Sequence, residues 1–135
     1  TGEVDKVIDL GNSISASGVA FDAQQNRLYV ASQGTDNLLI VDVASGKVVH
    51  DVPVGAGALN VAFDDKSGLA YVTNRGAGTV TVVDRAGKVV GNLDGGTFPN
   101  HVRADGKGSV FAVNKSRGAD DAKGDRITRI TPRQP

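Results

Sequence analysis

The apolar residues of this chain fall in short runs. β-Branched and aromatic runs of a strand's length alternate with segments rich in Gly, Asp, Asn and Ser, and no stretch carries the 3.6-residue period of an amphipathic helix. One run, Leu69-Ala70-Tyr71-Val72-Thr73-Asn74-Arg75-Gly76, has an earlier counterpart in Leu28-Tyr29-Val30-Ala31-Ser32-Gln33-Gly34 and a later one in Val110-Phe111-Ala112-Val113-Asn114-Lys115. Its neighbours recur with it. Val19-Ala20-Phe21-Asp22 returns as Val61-Ala62-Phe63-Asp64 and more loosely as Val102-Arg103-Ala104-Asp105. Ile40-Val41-Asp42 returns as Val82-Val83-Asp84, and Gly46-Lys47-Val48-Val49 as Gly87-Lys88-Val89-Val90. The period is about 41 residues, within the range that marks repeat architectures.

Each period predicts four strands, here called a to d. They are Gly18–Asp22, Arg27–Ser32, Asn37–Val43 and Lys47–Val54 in the first unit, and Leu59–Phe63, Leu69–Thr73, Thr79–Asp84 and Lys88–Leu93 in the second. The third unit offers only a, b and c: His101–Ala104, Ser109–Asn114 and Arg126–Thr131. Turn chemistry joins them, as in Asp64-Asp65-Lys66-Ser67-Gly68 and Arg85-Ala86-Gly87. Leu38-Leu39-Ile40-Val41 and Val80-Thr81-Val82-Val83 do not alternate, which calls for sheets covered on both faces. The fold class expected is all-β: β-propeller blades of four antiparallel strands, three of them here, with a solenoid of four-stranded sheets as the rival. Residues 1–10 then read as the outer strand of a preceding blade, with Glu3–Leu10 its strand. Residues 11–54, 55–93 and 94–135 read as three blades, the last lacking its outer strand.

Three blades do not close a ring, and an unclosed stack leaves apolar end faces in water. The expected partners are therefore the remaining blades of a ring, or a second copy whose Glu3–Leu10 pairs beside Arg126–Thr131. Composition narrows the rest. The 135 residues carry 15 basic and 15 acidic side chains, so bulk charge does not drive binding to nucleic acid or anionic membrane, although a local basic face remains open. There is no Cys, and no apolar run approaches a membrane span. With no Met and no signal peptide, the chain reads as a processed product or a fragment.

Tyr71-Val72-Thr73-Asn74, followed by Gly76 and Thr79-Val80-Thr81-Val82-Val83-Asp84, resembles the YVTN repeat family of bacterial β-propellers. The tetrapeptide is degenerate in the first unit (Tyr29-Val30-Ala31-Ser32) and the third (Phe111-Ala112-Val113-Asn114). Thr97-Phe98-Pro99-Asn100-His101-Val102 with Ala104-Asp105-Gly106-Lys107 is similar to the last blade of periplasmic YncE-like proteins. The resemblance implies part of a seven-bladed ring in the periplasm or at the cell surface of a bacterium. Some relatives bind single-stranded DNA and others build surface layers; no catalytic residue carries over.

Candidate chemistry lies where the repeat is broken. Asp22, Asp64, Asp105, Asp42 and Asp84 recur at strand ends and read as turn carboxylates. In a propeller the d-to-a and b-to-c connections share one face, and three departures fall there. The third b-to-c connection, Asn114–Asp125, is seven residues longer than the second and reads either as a contact loop or as a solvated one. Gln33, Arg75 and Lys115 occupy equivalent positions, and with Arg117, Arg103 and Lys123 they offer a positive rim. Phe98 is the aromatic outside the repeat, whereas Phe21, Tyr29, Phe63, Tyr71 and Phe111 read as core. His101, after Pro99-Asn100 on an inner strand, lacks partners at metal-ligand spacing. The candidate ligand or nucleic-acid face is thus Arg75, Lys115, Arg117, Phe98, Asn100 and His101. No catalytic, cofactor or metal site is expected. The function expected is a non-enzymatic binding or scaffold module of the bacterial envelope that takes a protein or single-stranded nucleic acid on its loop face. A lactonase- or lyase-type propeller enzyme and a structural surface repeat are the alternatives.

Overall fold

The computed structural model describes residues 2–133; Thr1, Gln134 and Pro135, assigned above to the two ends, lie outside the described residues. The described residues form three antiparallel sheets and no helix. The first sheet runs β1 (Ala16–Asp22), β2 (Arg27–Ser32), β3 (Asn37–Asp42), β4 (Lys47–Pro53) in spatial as in chain order. The second repeats it with β5 (Ala58–Asp64), β6 (Leu69–Asn74), β7 (Thr79–Val83) and β8 (Val89–Asp94). The third has β9 (Pro99–Ala104), β10 (Val110–Asn114) and β11 (Ile127–Ile130). These are β-propeller blades. The inner strands β1, β5 and β9 pack side by side, so the sheets stack face to face about one edge.

Register decides which residues meet. Tyr29 stands opposite Ala20 and Ile40, Tyr71 opposite Ala62 and Val82, and Phe111 opposite Arg103 and Arg129. Between the first two blades, Tyr29, Ala31, Leu38 and Ile40 pack on Val61, Phe63, Ala70, Val72 and Val83. The Tyr29 and Phe63 rings stack with centroids 5.0 Å apart. Between the second and third, Ala62, Tyr71, Val80 and Val82 pack on Val102, Val110 and Ala112. Gly18 allows the inner strands to approach: a Cβ there would lie 2.7 Å from Asn60 Cα.

The five repeated carboxylates are turn acceptors. Asp42 takes the Ser45 N–H and hydroxyl, Asp64 those of Ser67, Asp84 the Ala86 and Lys88 N–H groups, and Asp105 those of Lys107 and Ser109. Asp22 takes the Gln24 and Gln25 N–H groups and also clamps the blades together: Arg85 Nε of the next sheet lies 2.8 Å from its carboxylate. Burial pushes the Asp22 carboxyl up, but the Arg85 bond and the two backbone donors outweigh it and hold it below the usual range.

Two expectations are corrected. Glu3–Leu10 is not a strand, because among the described residues no strand stands beside it to complete a ladder. It lies instead along the outer face of the first sheet, where Ile8 and Leu10 cover Val30, Leu39 and Val41, and Lys6 Nζ reaches the Val43 carbonyl. Nor are Phe21 and Phe111 core. They are 52% and 41% exposed, because each points away from the stack on an end face that no further blade covers among the described residues. For the same reason β10 alternates strictly between buried and exposed, whereas its equivalent β6 is buried almost throughout.

Candidate anion-binding site on the loop face

The scaffold stitches each b-to-c turn to the d-to-a turn of its own blade. Gln33 N–H donates to Ser15 O, Arg75 N–H to Gly57 O and Lys115 N–H to Phe98 O, all at 2.9 to 3.1 Å. Ser15, Gly57 and Phe98 are therefore equivalent, and all three have positive φ: 58°, 72° and 47°. The position demands the left-handed region, which glycine enters freely and a bulky aromatic resists. Phe98 occupies it with Pro99 following, a further backbone restriction. Strain of this kind is tolerated where the surroundings over-determine it, and such residues concentrate at functional sites.

What surrounds Phe98 is basic. Arg75 Cζ lies 4.3 Å from the centre of its ring and Arg117 Cζ 5.0 Å. Both are cation–π contacts. The half-buried ring thus gathers two guanidinium groups that start 42 residues apart in sequence. Beside them a cleft of about 230 Å³ is lined by Arg75, Gly76, Gly78, Asp94, Phe98, Arg117 and Lys123, among others. Three cations face one carboxylate there, and Lys123 Nζ stays 3.9 Å from that carboxylate, Asp94, with both side chains largely exposed. The guanidinium planes offer fork-shaped donors and a stacking surface together.

The long third b-to-c loop is held by its own polar groups. Asp121 accepts the Arg117 and Lys123 N–H groups at 3.1 and 3.0 Å, and Asp125 accepts the Ser116 N–H at 3.1 Å. Asn114, buried at the root of the loop, donates to the Thr97 and Lys123 carbonyls at 2.9 and 2.6 Å. A Thr97 hydrogen bond and then the Arg117 N–H hold the Asp121 carboxyl below its ordinary value.

The structure brings together three of the six candidates named from the sequence. Arg75, Phe98 and Arg117 form the cluster. Lys115 is exposed and joins it only through its backbone. Asn100 is half-buried in the β9 bulge. His101 is exposed on the inner strand β9, where the Asn60 side-chain amide of the neighbouring second sheet donates to its ring Nδ1. Arg103, expected on the same rim, lies on the open face of the third sheet, opposite Phe111. Among the described residues no group of three His, Cys, Asp or Glu side chains is placed to hold a metal ion. Asp94 and the organising role of Asp121 are not among the residues that the repeat pattern singles out. The signal for Asp121 is its spacing, two residues before Lys123 and four after Arg117.

No family model matches the chain and no curated protein matches it. Among solved structures, it is similar to the hydrazine synthase of Kuenenia stuttgartiensis, with a TM-score of 0.70 and 17% identity over 83% of this chain. The chain spans 32% of that protein's length, and at this identity the likeness concerns the fold alone.

Proposed function

We propose that this chain is a non-enzymatic binding module of the bacterial envelope, and that its loop face takes a single-stranded nucleic acid at the Arg75–Phe98–Arg117 cluster. The observation that carries the reading is the convergence of two guanidinium groups on one strained, half-buried aromatic ring. Single strands are held by a basic surface that follows phosphates and by flat π-systems on which bases stack, and Arg serves in both parts. Lys123 extends the basic surface beside the cluster, while the chain as a whole is neutral. The charge is local, as a contact site requires.

Fluorescence anisotropy of a labelled oligothymidylate tests this, with a labelled polyglutamate peptide as the competing anion. Affinity for the oligonucleotide should fall with salt, and Arg75→Ala or Arg117→Ala should each weaken it about tenfold, equivalent to about 1.4 kcal/mol. Each should also lower the salt slope by about 0.7. Preference for polyglutamate would shift the reading to an acidic protein partner. Failure to bind the oligonucleotide at low salt would sink it.

A further inference from the structure

On the reading of the cleft as a single-strand site, we infer that Asp94 makes it selective for guanine, by accepting the two donors of that base's Watson–Crick edge. Asp94 is the misfit among the residues that line the cleft. Arg75, Arg117 and Lys123 suit a phosphate backbone, whereas a carboxylate beside them repels phosphate. What a carboxylate offers a nucleic acid is acceptance of hydrogen bonds from base donors.

Its setting fits that role. Asp94 ends β8 opposite Thr79, and its Oδ1 accepts the Gly96 N–H at 2.9 Å, which restrains the carboxylate. Its Oδ2 accepts no hydrogen bond among the described residues; Lys123 Nζ stands 3.9 Å away, with both side chains largely exposed. A pair so long and so exposed is weak, so a base can take the place of the lysine. The turn that follows Asp94 is pressed against the long loop. Thr97 N–H donates to Lys123 O at 3.3 Å, and at Gly96 a Cβ would lie 2.8 Å from Asn114 Nδ2 and 2.9 Å from Lys123 O. Gly76, Ala77 and Gly78 line the cleft with nothing larger than a methyl, which admits a flat ring.

Base chemistry then decides. The unstacked bases of a single strand are read on their Watson–Crick and Hoogsteen edges. Guanine has two adjacent Watson–Crick donors, N1–H and the N2 amine, which match the two oxygens of a carboxylate. Each oxygen has two lone pairs, so Oδ1 serves the Gly96 N–H and a base donor together. Adenine and cytosine set a ring-nitrogen acceptor beside the amine, and thymine flanks its one N–H with two carbonyls. Each of these turns a lone pair toward the carboxylate. Guanine also carries O6 and N7, the pair that an arginine fork grips, and Arg75 and Arg117 supply the forks.

Anisotropy of the full chain with labelled oligothymidylates that carry one central guanine, inosine, adenine or cytosine tests this. Guanine should bind about tenfold tighter than thymine, with inosine, which lacks the N2 amine, in between, and adenine and cytosine should give no gain. Asp94→Asn should reduce the guanine preference to within about twofold, because an amide presents one donor and one acceptor. The inosine comparison needs no variant, so it keeps the test valid should Asp94→Asn disturb the turn. Equal affinity for guanine and thymine, equal affinity for guanine and inosine, or a preference that survives Asp94→Asn would each overturn the inference while leaving the single-strand reading in place. Binding of no oligonucleotide at low salt would overturn both.

Discussion

Replacing Phe98 by Ala and by Gly separates what this residue costs the fold from what it gives the site. At φ 47°, in a position where the second blade has Gly57 at 72°, its backbone is strained. A side chain in the left-handed region costs about 1–2 kcal/mol, and glycine does not incur that cost. Its ring makes two cation–π contacts, each contributing about 0.5–1 kcal/mol at a partly exposed site. Phe98→Ala loses the contacts and keeps the strain, so it should destabilise the chain by about 1–2 kcal/mol. Phe98→Gly loses the same contacts but relaxes the backbone, and should be at least about 1 kcal/mol more stable than Phe98→Ala. Both should lose oligothymidylate affinity equally, by about 1–3 kcal/mol, the usual effect of removing a stacking aromatic. Urea unfolding followed by circular dichroism gives the first comparison and anisotropy the second. Alanine matching or exceeding glycine in stability would refute the strain argument. Unchanged affinity in both would remove the ring from the site.

Other outcomes follow from the geometry. Arg85→Ala leaves the Asp22 carboxylate, fully buried, with only two backbone donors. Breaking a buried pair costs about 3–5 kcal/mol, and with Arg85 one-quarter exposed, about 2–3 kcal/mol is expected by urea unfolding. The folded Asp22 pKa is lowered, so the stability it contributes is present above its unfolded value near ~3.9 and fades as pH falls through the folded one. The gap between wild type and variant should therefore narrow below about pH 4. Asp121 is lowered as well, by its bonds to Thr97 and the Arg117 N–H, so the loop should stay ordered at neutral pH and loosen only in acid. Amide shifts of Arg117 and Lys123 should titrate with a midpoint below about 3.9, and a midpoint at or above that value would mean Asp121 does not hold the loop.

The blades are legible in the sequence because a repeat supplies its own controls. Three statements of one strand pattern fix the period, and turn chemistry marks the ends, so element bounds read from sequence differ from the structure by only a few residues. Glu3–Leu10 departs from its expected strand for a reason outside its own sequence. It has the pattern of an outer strand, but pairing needs a neighbour, and local propensity does not reveal whether one is present. Phe21 and Phe111 depart likewise: their positions are buried inside a stack and exposed at its ends. The site is legible only as departures from the repeat. That Arg75 and Arg117 meet on Phe98 depends on how neighbouring blades bring their turns together, and pattern alone does not reach that far.

The two largest departures in the third blade, the aromatic at position 98 and the seven-residue insertion, are sterically linked. At the equivalent Gly57, a Cβ would lie 2.7 Å from Gly76 N, in the short b-to-c turn of the same blade. The first blade seats the small Ser15 side chain beside a turn just as short, so a small group is taken up by local adjustment, but a phenyl ring needs more room, and the insertion after Asn114 provides it. The long loop therefore makes room for Phe98, and it also delivers Arg117 and Lys123 to the ring and cleft it opens. Replacing residues 115–125 by the Arg-Gly-Ala-Gly turn of the second blade restores the obstruction. Alone it should destabilise the chain by about 1–3 kcal/mol, the cost of overpacking, and adding Phe98→Gly should recover most of that. Two losses that simply add in urea unfolding would show that loop and ring are independent, and that the site was not built as a unit.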